Sequence, residues 1–153
     1  MRNNLKKEEY VLDGIDTKLI ELLYANARIP VSELARTVGM TAPSVNERLK
    51  RLEESGVISG YRVEVNPKVL GYSLMAIVRM RQLPGKLKAL EALIRSIPEF
   101  VECDKVTGED CYVARLYLKN ISELDPILDR VSELADTNTA IVKSTPVTRR
   151  LLV

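Results

Sequence analysis

The 153-residue sequence contains no histidine and no tryptophan, one phenylalanine and only two cysteines. Without imidazole it lacks the commonest metal ligand and the usual general base near neutral pH, so most hydrolytic and metal-dependent chemistries lose their standard apparatus. Cys103 and Cys111 are too far apart in sequence for a CxxC pair, and no further Cys or His exists to complete a zinc site. They read as reduced thiols. No apolar run approaches the length of a membrane span, and the opening "MRNNLKKEEYVLDG" has cations but no apolar core of signal-peptide length, so a cytoplasmic protein with no membrane partner is expected. Charge of one sign is also scarce. With 23 Lys and Arg against 21 Asp and Glu, the net charge of +2 is too small to draw in nucleic acid by itself.

What the chain does have is a local concentration of cations. Residues 28–51 hold five (Arg28, Arg36, Arg48, Lys50, Arg51) against two anions (Glu33, Glu47), a net +3 that exceeds the total for the whole chain. In the same region the apolar spacing is helical. Ile15, Leu19, Leu22 and Leu23 line one face of a first helix, with Asp13 as its cap and Asp16 three residues on. Pro30 stops that helix. Ser32 can cap a second, short helix carrying Leu34, Ala35 and Val38, which ends at Gly39. Thr41 is suited to cap a third, Pro43 is tolerated in its first turn, and Val45, Leu49 and Leu52 form its buried stripe up to Gly56. The partly alternating "VISGYRVEVNP" then predicts a strand or short wing.

These readings predict an α+β chain of two domains: a winged helix-turn-helix over 1–66, a linker over 67–73 at "NPKVLGYS", and a ferredoxin-like βαββαβ domain over 74–153. In the second domain "LMAIVRMR", "GKLKALEALIRSI" and "EFVECDKV" form one strand–helix–strand unit. "CYVARLYL", "SELDPILDRVSELA" and "AIVKSTPV" form the other, with Pro126 giving its helix an irregular start capped by Ser122 or Asp125. Leu74, Ala76, Val78 and Met80, with Tyr112, Ala114, Leu116 and Leu118, are expected beneath the helices. Met75, Ile77, Arg79, Arg81, Cys111, Val113, Arg115 and Tyr117 then line an open, half-apolar face of the kind that pairs in a homodimer.

With Val45, Leu49 and Leu52 inward, the third helix presents a reading face. A helix-turn-helix brings the N-terminal part of its second helix to base edges, which assigns Thr41, Ala42, Pro43, Ser44, Asn46 and Glu47 to the groove region of double-stranded DNA. Lys50 and Arg51 go to phosphates, and Arg48 to a guanine or a phosphate. An isolated amphipathic hairpin would more often be a solvated face; the rest of the chain decides the matter. "LDGIDTKLIELLYANARIPVSELARTVGMTAPSVNERLKRLEESGVISGYRVEVNPKVLG", followed by "VTGEDCYV", resembles the Lrp/AsnC, or feast/famine, family of transcription regulators over nearly the whole chain.

The resemblance implies a DNA-binding regulator built from dimers that assemble into octamers or hexadecamers and controlled by an amino-acid effector, with no other cofactor. The effector residues would come from the loop Thr107, Gly108, Glu109, Asp110 and Cys111 with Thr137, Asn138 and Thr139 nearby, a set that offers carboxylates for an ammonium and N–H or hydroxyl donors for a carboxylate. Many relatives carry an acid three positions after this glycine; here that position is Cys111. The competing reading is a small enzyme or enzyme-regulatory subunit using the ferredoxin-like domain. Its base would have to be Asp, Glu, Cys or Lys, and no paired acids or activated nucleophile beyond "GEDC" present themselves.

Overall fold

A computed structural model describes residues 10–153; the stretch 1–9, with most of the basic N-terminal segment, lies outside the described residues. The chain divides into two compact units, one running through Glu64 and including Arg149–Val153, the other spanning Val65–Thr148. The final five residues, expected in the second domain, therefore group with the first. Tyr24 Oη donates a 2.6 Å hydrogen bond to the Arg149 carbonyl.

The first unit holds α1 (Gly14–Ala25), α2 (Val31–Val38) and α3 (Ala42–Glu54). Asp13 and Asp16 form a reciprocal capping box at the start of α1, so two backbone N–H groups that the helix leaves orphaned gain partners. Helix α2 begins two residues earlier than the Ser32 cap predicts: Pro30 occupies the N-cap position without a side-chain bond, its fixed φ of −62° already suited to helix entry. Gly39, at φ 69°, ends it in the left-handed conformation. Thr41 caps α3 by accepting from the Ser44 N–H, and Pro43 lies in the first turn. Leu19, Leu34, Ala35 and Val45 form the core, flanked by Ile15, Leu22, Leu23, Val38 and Leu49. Fully burying Leu19 or Val45 contributes on the order of 2 kcal/mol each, and a charge at Val45 would break the unit.

The wing differs from expectation. No ladder pairs the segment 57–66 with another strand among the described residues, and Tyr61, Val63 and Val65 stand exposed along it. β-branched residues favour extended backbone, but a strand needs a neighbour to take its N–H and C=O groups, and none of the described residues supplies one here.

In the second unit a short 3-10 turn (Pro67–Leu70), capped by Asn66 and closed by Gly71 at φ 87°, leads into the sheet. The elements are β1 (Leu74–Gln82), α4 (Leu87–Ser96), β2 (Phe100–Lys105), β3 (Tyr112–Leu118), α5 (Leu124–Ser132) and β4 (Ala135–Ile141). The strand order β2-β3-β1-β4, with each neighbouring pair antiparallel, is that of the ferredoxin-like fold. Ala76, Val78, Met80, Tyr112, Ala114, Leu116 and Leu118 are buried with Leu90 and Ile94 of α4 and Ile127 and Val131 of α5, so both helices cover the expected sheet face.

Two details depart from the sequence expectation. A 3-10 turn (Ile121–Glu123), capped by Asn120 accepting from the Ser122 N–H, precedes α5 and puts Pro126 in the helix's first turn; α5 itself has Glu123 at its N-cap position with no side-chain bond, so neither Ser122 nor Asp125 caps it. The last strand covers 135–141 rather than 140–147. Pairing resumes directly after α5, where Leu83 N–H donates to the Leu134 carbonyl, so polar "ADTNTAI" becomes an edge strand on which Thr and Asn can face water. Among the described residues no helix is long and apolar enough to cross a membrane.

Candidate functional site

On α3, Pro43, Asn46, Glu47, Lys50 and Arg51 are exposed, while Ala42 and Ser44 are half-buried and Val45 and Leu52 fully buried. The helix therefore presents the first five, polar or small, side chains to solvent and its apolar stripe to the core. At its N-terminal end the Thr41 and Ser44 hydroxyls lie 2.8 Å apart, so one of them donates to the other and each has part of its bonding capacity in use. Lys50 lies 3.7 Å from Glu54 in a solvent-exposed pair, which holds it only weakly. Arg51 has no acidic partner within ion-pair distance among the described residues.

Arg48 is different. Its Nη1 donates to Asp13 Oδ2 at 2.7 Å and to Asp16 Oδ1 at 2.8 Å, and its side chain is only 17% exposed. Expected among the DNA contacts, it has its guanidinium bound to the start of α1. The same geometry lowers the Asp13 carboxyl below its usual range, first through the Asp16 backbone N–H and then through Arg48, and keeps the guanidinium protonated. Asp13 and Asp16 are visible in sequence as a capping pair, but the sequence gives no sign that a third side chain converges on them.

The expected effector residues are only partly brought together. The loop 107–111 joins β2 to β3, with Gly108 exposed at φ 120° and nothing within 4 Å of where a Cβ would stand. Cys111 is committed to β1: its N–H donates to the Met80 carbonyl at 2.9 Å, its thiol donates to the same oxygen at 3.3 Å, and its sulfur accepts from the Gln82 N–H. Glu109 is exposed and Asp110 half-buried. On β4, Thr137, Asn138 and Thr139 lie opposite Met80, Arg79 and Val78. Strand alternation therefore splits them, Thr137 and Thr139 toward the helices and Asn138 toward the open face, so the three cannot converge on one ligand from one side. Thr137 does share the loop's end of the sheet, two strand spacings or roughly 10 Å from Tyr112.

The open face of the sheet carries Met75, Ile77, Val113 and Tyr117, all half-buried, beside exposed Arg79 and Arg81. Acids flank it on both outer strands. Arg115 pairs with Glu102 at 2.8 Å and Arg81 with Asp136 at 3.2 Å.

Comparison with known proteins bears on both units. A family model described as winged helix-turn-helix DNA-binding matches residues 12–59, and one described as the Lrp/AsnC ligand binding domain matches residues 75–152. The chain is 36% identical to the HTH-type transcriptional regulator FL11 of Pyrococcus furiosus, over 86% of this chain and 89% of that protein. It is 34% identical to the leucine-responsive regulatory protein of Haemophilus influenzae, over 90% of this chain and 87% of that one. The solved structure of Bacillus subtilis LrpC superposes with a TM-score of 0.84 at 28% identity, covering 92% of this chain and all of the other.

Proposed function

The chain belongs to the Lrp/AsnC family of transcription regulators, and on that premise we propose which of its residues read DNA and how a ligand reaches them. It is a DNA-binding regulator rather than an enzyme. Helix α3 enters the major groove with Ala42, Pro43, Ser44, Asn46 and Glu47 toward base edges, Thr41 at the sugar-phosphate backbone, and Lys50 and Arg51 on phosphates; Arg48 is not in the contact set. Asn46 can pair with adenine and Glu47 can accept from cytosine N4. The observation that carries this reading is the exposure of Asn46 and Glu47 one turn before Arg51, a cation with no acidic partner among the described residues.

Two-fold assembly through the open sheet face supports paired reading heads. Its apolar centre and its arginines bordered by acids suit a self-complementary contact, and higher assembly from such dimers is part of the proposal. An amino acid is the proposed effector, held near the loop 107–111 with Asp110 or Glu109 on its ammonium, since the Cys111 thiol is tied to Met80. The name of the leucine-responsive relative supports that ligand class. Retention of the full-length protein on duplex DNA over a salt series tests the whole reading. Phosphate binding releases counterions, so log affinity must fall linearly with log salt. Salt-independent or absent retention rejects it.

A further inference from the structure

The cation that leaves the contact set has a second use. Asp16, 3% exposed, spends both carboxylate oxygens: Oδ1 accepts from Arg48, and Oδ2 accepts from the Asp13 N–H at 3.4 Å and the Tyr10 hydroxyl at 3.3 Å. The Asp16 N–H returns to Asp13 Oδ1 at 2.7 Å. One buried carboxylate and one guanidinium nitrogen thus join the first turn of α1 to the middle of α3.

The other contacts of α3 with the unit's core are apolar, through Val45, Leu49 and Ala42. Apolar packing is non-directional, so it leaves small rolls and slides of a helix cheap, whereas short charge-assisted bonds on one nitrogen fix direction as well as distance. A reading surface has to be held to about 0.5 Å. Arg48 follows Asn46 and Glu47 and precedes Lys50 and Arg51, so fixing its place on the helix fixes theirs. Buried ion pairs are poor sources of net stability, and their best-attested use is to set registry.

We propose that Arg48 is a positioning residue for base reading, which sets the roll of α3 through Asp13 and Asp16 and makes no phosphate contact. This rests on the reading of α3 as the recognition helix. The test uses the full-length protein, duplexes enriched by the wild type from a randomised library, and poly(dI-dC) as the non-specific probe. Arg48→Met and Arg48→Lys lower the ratio of specific to non-specific affinity by about tenfold or more, the loss of roughly one base contact. Affinity for poly(dI-dC) and its salt slope stay as in the wild type. Asp13→Asn, which leaves Asp16 and Arg48 paired, lowers the ratio less but in the same direction.

A salt slope smaller by about one in Arg48→Met makes Arg48 a phosphate ligand and overturns the proposal. So does an unchanged ratio in variants that keep wild-type helix content, which leaves Arg48 a brace for folding alone. If Arg48→Met does not fold, Arg48→Lys and Asp13→Asn decide by the same two readouts. Failure of the wild type to enrich any sequence rejects the recognition-helix reading itself, and this proposal with it.

Discussion

The Tyr112 hydroxyl donates a 2.9 Å hydrogen bond to Glu91 Oε2, tying β3 to α4 beneath the helical layer. Glu91 also receives Arg95 at 2.9 Å and Lys105 at 3.7 Å, and Lys105 lies 5.7 Å from the centre of the Tyr112 ring. Burial, then the bond to Glu91, pushes the Tyr112 phenol up to about 12. A phenol raised in the folded state adds stability that is fully present below its ordinary value near 10 and is lost as pH rises through the folded value. The melting temperature of the Val65–Thr148 unit should therefore fall between pH 10 and about 12. Tyr112→Phe should remove that dependence, as followed by calorimetry across the window. Phenolate absorbance gives a second check: Tyr61 and Tyr112, both pushed up to about 12, should give two late steps, of which the variant should lose one.

Arg51 and Asn46 sit on the same exposed face but are assigned different work. Arg51→Ala should weaken binding to specific and random duplex alike and reduce the salt slope by about one, the signature of a lost phosphate contact. Asn46→Ala should leave the slope unchanged and cost about 1–3 kcal/mol only on the preferred site, with relaxed choice at one base position. The same pattern of loss from both variants, measured by titration at several salt concentrations, would contradict the division into phosphate and base contacts.

The C-terminal residues should matter to the helical unit. Tyr24 on α1 holds the Arg149 carbonyl, Leu151 is half-buried, and residues 149–153 cluster with the helices. Removing them deletes one hydrogen bond and some apolar cover, a loss on the order of 1 kcal/mol. Tyr24→Phe in the full chain should reproduce part of it. Hydrogen exchange in α1 is the appropriate measurement, because it reports that unit separately from the sheet. Equal protection of α1 in wild type and truncated chain would show the tail to be idle there.

Why some of this was legible in the sequence and some not follows from how each feature is encoded. Asp13, Gly39 and Thr41 announce helix ends because capping is a local bond between near neighbours. The alternation from Leu74 to Met80 and from Tyr112 to Leu118 announces which sheet face is buried, because side chains on a strand change side at each residue. The strand 135–141 escaped because its Asp, Thr and Asn carry no apolar alternation, while the β-branched run just after it does. The segment 57–66 reads as a strand for the converse reason, a strand-like composition that finds no ladder partner among the described residues. The bonds of Arg48 to Asp13 and Asp16 are not legible in the sequence, because those partners stand 35 and 32 residues away, a distance at which spacing carries no signal. The exposed face of α3 is legible from the helical spacing of its apolar stripe, whereas the placement of Thr137, Asn138 and Thr139 is not, since they are neighbours in sequence yet alternate between sheet faces.

Gly108 provides the sharpest test of where a ligand acts. At φ 120° its backbone is one that side-chain-bearing residues rarely adopt, and open space surrounds it, so Gly108→Val adds strain of about 1–3 kcal/mol without a clash inside the chain. That cost is local to the loop 107–111, and Cys111 still anchors the start of β3 to Met80. The sheet and the helical unit should therefore keep their wild-type circular dichroism, with the melting temperature a few degrees lower. A ligand can shift assembly or DNA occupancy only through a difference in its affinity for the two states, so a branched side chain that blocks approach to the loop should remove the shift while leaving basal DNA binding intact. Sedimentation and DNA affinity, measured for wild type and variant with each of the common amino acids, separate the cases. A wild-type response that Gly108→Val abolishes puts the sensing site at this loop, a response that survives the substitution puts it elsewhere, and a wild type deaf to every amino acid means that this regulator, with its Cys111 thiol bound to Met80, lacks this control.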